Sequence, residues 1–150
     1  MTIRAITSTV EISAPRAVVW AVLVDVARYP EWNPFTVRVD TTFALGTPVR
    51  MRVALLPWLV ISQTEVISSY DEGRSLSWGV TMVGRWFLQA DRVQVLEDLP
   101  GGGTRYSTTD TFVGRGVALN HLLTGRLVQR GFDGVAHGLK RRCESPPAAS

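Results

Sequence analysis

The apolar and polar positions of the chain change period twice. From Thr2 to Ser13 they alternate, with Ile6, Ser8, Val10 and Ile12 on one face, which predicts a strand with one wet side. Ser13-Ala14-Pro15 opens a helical stretch in which Ser13 sits at or near the N-cap and Pro15 occupies the first turn. Ala17, Trp20, Ala21 and Val24 then recur at helical spacing, and Asp25 to Trp32 reads as a second short helical turn, ended by Pro30 and Pro34. Alternation returns at Phe35–Thr42. It continues after a turn around Gly46, where Val49, Met51, Val53 and Leu55 alternate with Arg50 and Arg52. Further strands are predicted at Val60–Tyr70, at Ser75–Val83 and Arg85–Glu97 joined near Gly84, and at Thr104–Val113 after the glycine-rich loop Asp98–Gly103.

From Val117 to Arg142 the period is helical again. Ala118, His121, Gly125, Val128, Phe132, Val135 and Leu139 fall on one stripe about five turns long. Four glycines inside it (Gly125, Gly131, Gly134 and Gly138) each cost about 1 kcal/mol of helix propensity relative to alanine, so a bend or a close approach to the sheet is expected there. Strand, two short helices, six strands and a long helix, without βαβ alternation, predict an α+β fold whose sheet is antiparallel and covered by the one long helix. A single domain over 1–144 is expected, with 145–150 as a disordered tail.

Composition narrows the function classes. With 150 residues the chain can bury roughly 70% of its unfolded surface, enough for a core without staples. Its only cysteine is Cys143, which excludes an intrachain disulfide, and no Cys/His cluster or HExxH, GxGxxG or Walker sequence is present, so no metal or cofactor is expected. The N-terminus lacks the basic-then-apolar order of a secretory signal, and no run reaches the ~20 apolar residues of a membrane span, so a cytoplasmic protein is expected. The net charge is +3, but the one basic cluster, Lys140-Arg141-Arg142, falls where cations suit the end of a helix. It lacks the dense stripe of nucleic-acid binding, and no nucleic-acid partner is expected.

The element order carries characteristic residues at its joints. At the front are Ala14-Pro15, Val19-Trp20, Asp25, Tyr29 and Trp32-Asn33-Pro34. Gly46 precedes the Arg50/Arg52 strand, Leu76-x-Trp78 follows, then Gly103-Thr104-Arg105, Asp110-x-Phe112-x-Gly114, and Leu139-Lys140 with Glu144. In this order and spacing the chain, over roughly residues 2–144, resembles the START-like (SRPBCC) superfamily, and within it the polyketide cyclase/dehydrase-like group. The resemblance implies a helix-grip fold: a curved antiparallel sheet of about seven strands wrapped around a long C-terminal helix, with two short helices between the first two strands and a hydrophobic cavity beneath. It implies activities that range over lipid and hormone binding, polyketide cyclisation and chaperone-cofactor roles, and it carries over no catalytic residue.

Strand parity supplies candidates for the cavity wall. Leu76, Trp78 and Val80 form one inward set, Asp91, Val93 and Val95 a second, and Thr104, Tyr106, Thr108, Asp110 and Phe112 a third. Val128 and Phe132 face them from the helix, Trp78 is the best flat platform for a ring, and Trp32 either anchors the second helix or joins the wall. Asp91, Asp110 and His121 would then place two carboxyls and an imidazole in one apolar cavity, a set able to move a proton in an aldol-type cyclisation or a dehydration. The alternative is that His121 is wet at the mouth and that Asp110 bonds a backbone or arginine group. Leu55–Val60, with Trp58, forms an unusually apolar turn, either a plug folded into the cavity or a portal that touches a membrane or protein. Binding of a lipid, polyketide or isoprenoid-like molecule is the primary expectation, a cyclase or dehydratase the alternative, and a monomer or homodimer fits either.

Overall fold

The computed structural model describes residues 2–82 and 86–145. Strand β1 (Thr2–Ile12) leads into helix α1 (Arg16–Val24), a 3-10 turn (Val26–Arg28) and the single-turn helix α2 (Tyr29–Trp32). Then come β2 (Thr36–Asp40), β3 (Pro48–Leu56), β4 (Leu59–Asp71), β5 (Ser75–Met82), β6 (Leu88–Asp98), β7 (Thr104–Gly114) and the long helix α3 (Val117–Glu144). The strands form one antiparallel sheet in the order β1-β7-β6-β5-β4-β3-β2. This is the helix-grip arrangement that the resemblance implies, and its antiparallel sheet under one long helix is what the pattern predicts. The joint near Gly84 and residues 146–150 of the expected tail lie outside the described residues.

Local chemistry explains most boundaries, with one exception at the first helix. Pro15, not Ser13, holds the N-cap position of α1, and no side chain caps it. Ser13 instead donates its backbone N–H to Glu144 Oε1 at 2.7 Å, tying the start of α1 to the far end of α3. Pro30 lies inside α2 rather than ending it, in the first turn where its missing N–H costs nothing. The β3–β4 turn is Pro57-Trp58 alone. Proline cannot take the positive φ of the usual two-residue hairpin turn, and a register shift between Ala54 and Leu56 accompanies this departure.

The core lies between the concave sheet face and α3. Gly125, Phe132, Val135, Ala136 and Leu139 are buried on the helix stripe, facing Ile6, Ile12, Trp78, Leu96, Tyr106 and Phe112 from the sheet. Ala118 and His121, although in phase with that stripe, are exposed; in the first two turns of α3 only Val117 is buried. Two of its glycines are close approaches. A Cβ at Gly138 would collide with the carbonyl oxygen of Trp32, and one at Gly131 with the ring of Phe35. Lys140 and Arg142 are engaged within the fold. Lys140 Nζ donates to the Glu11 carbonyl and to Glu144 Oε1, each at 2.7 Å, and Arg142 pairs with Glu31 at 2.6 Å.

Candidate functional site

The concave face carries a polar strip inside an apolar shell, and Arg92 is at its centre. Reading across the register, Trp78 faces Arg92, Arg92 faces Asp110, and Gln94 faces Thr108. Directly opposed residues share a face of the sheet, so these side chains point together toward α3. Arg92 is buried. Its guanidinium lies 4.4 Å from the Phe132 ring centroid and 5.8 Å from that of Trp78, contacts that favour a cation over an aromatic face. Its Nε donates to Thr108 Oγ1 at 2.9 Å. Among the described residues it makes no ion pair within 4.0 Å.

Two carboxyls share this interior with Arg92. Glu65, on β4, is buried and accepts a hydrogen bond from Gln63 Nε2. Burial is the chief reason its pKa is raised to about 7; the negative charge of Asp110 raises it further, while Arg92 opposes the rise. Asp110 is pushed up to about 6, again by burial first, with Arg92 pulling the other way. Tyr29 and Tyr106 are fully buried near the same arginine, and burial raises both phenols above their ordinary value. Tyr106 Oη donates to Gln94 Oε1 at 2.6 Å, and Tyr29 Oη to the Leu23 carbonyl at 2.6 Å. Two buried polar atoms beside this strip, Gln94 Nε2 and Asp110 Oδ1, have no hydrogen-bond partner among the described residues. A buried polar group left unpaired costs about 1–3 kcal/mol, so the strip can take oxygen or nitrogen atoms of a guest or of water.

Two surface openings adjoin the core, and neither is lined by Arg92, Trp78 or Phe132. A groove of about 430 Å³ runs between α3 and the β3–β4 hairpin, lined among others by Pro34, Phe35, Leu55, Pro57, Leu127 and Arg130. Phe35 separates it from the interior, its ring packed edge-on against Phe132 at 5.8 Å. The second opening is a split in the sheet. β4 and β5 pair only as far as Val66 and Gly79, after which β4 follows β3 and β5 follows β6. Glu65, Ser68, Val80 and Asp91 border the resulting cleft of about 550 Å³.

The three proton-moving candidates do not converge. Asp110 is inside, but Asp91 lies on the opposite face, where it accepts a hydrogen bond from Ser68 Oγ at 3.0 Å. His121 is exposed, its imidazole lying over Gly125 in the early turns of α3. The inward set of β6 is Leu88, Ala90, Arg92, Gln94 and Leu96, so Val93 and Val95 join Asp91 on the outer face. Strand parity alone takes them as inward, but β-branched residues also pack on the outer face, and here they are half-buried. Trp78, Tyr106 and Phe112 are buried on the concave face, and Val80 is half-buried beside the cleft. Phe132 meets them from α3, with half-buried Val128 one turn earlier. Trp32 packs on Tyr29, with ring centroids 4.9 Å apart, and against α3 at Gly138. Trp58 is 79% exposed at the hairpin tip and does not fold inward as a plug. Arg92, Glu65, Gln94 and Tyr29 are interior polar residues of this region that the alternation did not reveal. The available signal was the β5–β6 hairpin, since placing Trp78 inward also places its cross-strand partner inward.

Comparison with known proteins agrees with this geometry. Residues 4–144 match the family model described as polyketide cyclase / dehydrase and lipid transport. No match was found among curated proteins. Among solved structures, the chain is similar to the Zhui aromatase/cyclase from Streptomyces sp. R1128, with 20% identity, a TM-score of 0.76 and coverage of 95% of this chain and 94% of that one. It is similar to a START superfamily protein from Mycobacterium smegmatis, with 16% identity, a TM-score of 0.70 and coverage of 93% and 97%. It is also similar to a truncated norcoclaurine synthase from Thalictrum flavum, with 13% identity, a TM-score of 0.70 and coverage of 97% and 96%. At these identities the likeness concerns the fold. No helix among the described residues is long and apolar enough to cross a membrane.

Proposed function

Since the chain belongs to the polyketide cyclase/dehydrase and lipid transport family, we propose that it binds a hydrophobic small molecule carrying oxygen functions, such as a polyketide, beneath α3. Arg92 is the observation that carries this reading. It is a buried guanidinium with five N–H donors, held between aromatic rings and hydrogen-bonded to a neutral hydroxyl. Trp78 and Phe132 supply flat apolar contact for a ring system. The free donors of Arg92, with Gln94 Nε2, suit carbonyl or phenol oxygens. A purely aliphatic lipid would leave them all unpaired.

The test is Arg92→Met with a library of lipids and oxygenated aromatics, read by thermal shift and native mass spectrometry. A hydrogen bond to a charged group contributes about 1.5–3 kcal/mol, so the variant loses about 10- to 100-fold in affinity for an oxygenated ligand while remaining folded. If no library member or co-purified molecule binds the parent protein, or if the variant binds as well, the reading fails.

A second reading, cyclisation or dehydration of a carbonyl-rich substrate, rests on Glu65 and Asp110. Carboxyls held at about 7 and about 6 exchange protons readily at neutral pH, and Arg92, whose charge acts on both, would stabilise an enolate formed beside them. In this reading Glu65 takes the place expected of Asp91 or His121. Turnover of an aldol substrate that survives in both Glu65→Gln and Asp110→Asn would remove it.

A further inference from the structure

The free end of the molecule is apolar, cationic and without acid. From Ala118 to Leu123 every residue of α3 except Asn120 is exposed, including Leu119, Leu122 and Leu123 at 58%, 80% and 67%. Beside this stretch, Trp86 accepts a backbone hydrogen bond from Arg115 at 3.1 Å and exposes 61% of its surface. On the other side, the hairpin tip presents Trp58 with Leu59 and Val60. Pro57 and Arg130 line one groove, which places the tip next to the helix. Leu119, Leu122, Leu123, Arg126, Leu127 and Arg130 fall on one side of α3. Arg115, Arg126 and Arg130 are all exposed, and none is in an ion pair among the described residues. No acidic residue occurs from Thr41 to Thr64 or from Arg115 to Phe132.

From this surface we infer that the protein docks on anionic lipid bilayers through the first turns of α3 and the Pro57-Trp58 hairpin tip. Exposed leucines and tryptophans flanked by arginine are the composition of an interfacial element, in which the apolar groups enter the acyl boundary while the guanidiniums meet headgroup phosphates. Charge argues against a second copy as the occupant. A two-fold interface through this face would bring two arginine-bearing patches together, with no carboxylate in either segment to answer them. Docking here faces the groove between α3 and the hairpin toward the membrane, and it holds whatever the interior binds.

Co-flotation with vesicles of phosphatidylcholine, with and without phosphatidylglycerol, tests the inference. The protein floats with the anionic vesicles and is released as salt shortens electrostatic range. Neutralising Arg126 and Arg130 to glutamine weakens binding about fivefold each, roughly 25-fold together, at ~1 kcal/mol per basic residue near the surface. Trp58→Ser and the pair Leu122→Ser/Leu123→Ser lower binding further, with circular dichroism and melting temperature unchanged because these side chains touch solvent. A fold that survives while anionic binding persists in all variants overturns the inference. So does a parent protein that ignores both vesicles, or that hides this surface in a concentration-dependent dimer seen by light scattering.

Discussion

Replacing Glu65 with glutamine stabilises the protein above neutral pH and leaves it nearly unchanged in acid. In the fold the Glu65 carboxyl is held at about 7, against an ordinary 4.5. Each pH unit corresponds to 1.36 kcal/mol, so the ionised form is about 3 kcal/mol less favourable in the native state than in the unfolded chain. The sign follows from proton counting. Below about 4.5 the group is protonated in both states and contributes no penalty. Between about 4.5 and 7 the native state holds the extra proton, so stability falls as pH rises, and above 7 the loss is complete. Asp110, held at about 6 against 3.8, adds a loss of the same sign over a lower window. Glutamine keeps the shape of Glu65 and an oxygen to accept from Gln63 Nε2, but never ionises. For a domain of this size, ~3 kcal/mol corresponds to roughly 6–12 °C in melting temperature. Thermal melts of both proteins at pH 4.5 and pH 8 isolate the effect, because surface ion pairs such as Arg142–Glu31 are common to both and cancel in the difference. Parallel curves for the two proteins across that range would refute the argument, since they would mean that Glu65 is ionised in the fold without penalty.

The other expectations follow from the same geometry. Gly138→Ala forces a methyl onto the Trp32 carbonyl oxygen, so urea unfolding reports a loss of about 1–3 kcal/mol, against the gain that helix propensity alone would give. Asp91→Asn and His121→Ala, at the outer face and in the exposed early turns of α3, leave ligand affinity by thermal shift within about twofold, whereas Asp110→Asn changes it. Phe132→Ala removes the ring that covers the Arg92 guanidinium and costs about 3–5 kcal/mol in unfolding free energy.

The alternation of β3 and β7 and the long helical stripe made the fold legible, because each pattern is local. Val49, Met51 and Val53 need no partner strand to declare their face. β6 was not legible in this way. In its middle the outward residues Asp91, Val93 and Val95 are at least as apolar as the inward Ala90, Arg92 and Gln94, so its phase there is declared by pairing with Trp78 across the β5–β6 turn. A change of one residue in that turn would exchange the two faces. The start of α3 failed for a different reason. Periodicity records which side of a helix is apolar, not whether another element lies beneath it, and Ala118 and His121 fall on an exposed part of the stripe although Val117 beside them is buried.

The two misread segments are also where the fold departs from a plain hydrophobic core. A purely apolar concave face would have placed Val93 and Val95 inward and made the pattern simple. Instead the inward side of β6 contains an arginine and a glutamine, and desolvating such groups without full partners costs several kcal/mol. That cost makes sense if a guest molecule meets it. The polar strip therefore argues for recognition of oxygen atoms rather than for a greasy store. The same reasoning applies at the exposed start of α3, where three leucines in water are unfavourable unless a second apolar phase receives them. On the two proposals the interior and the outer rim set separate requirements, one on the chemistry of the guest and one on the surface at which the protein docks. Arg92→Met and the paired substitution of Arg126 and Arg130 address them independently. The first should abolish selectivity for oxygenated ligands without altering vesicle binding, and the second should do the reverse. A protein in which either change impaired both properties would have one coupled site, contrary to the geometry that separates them.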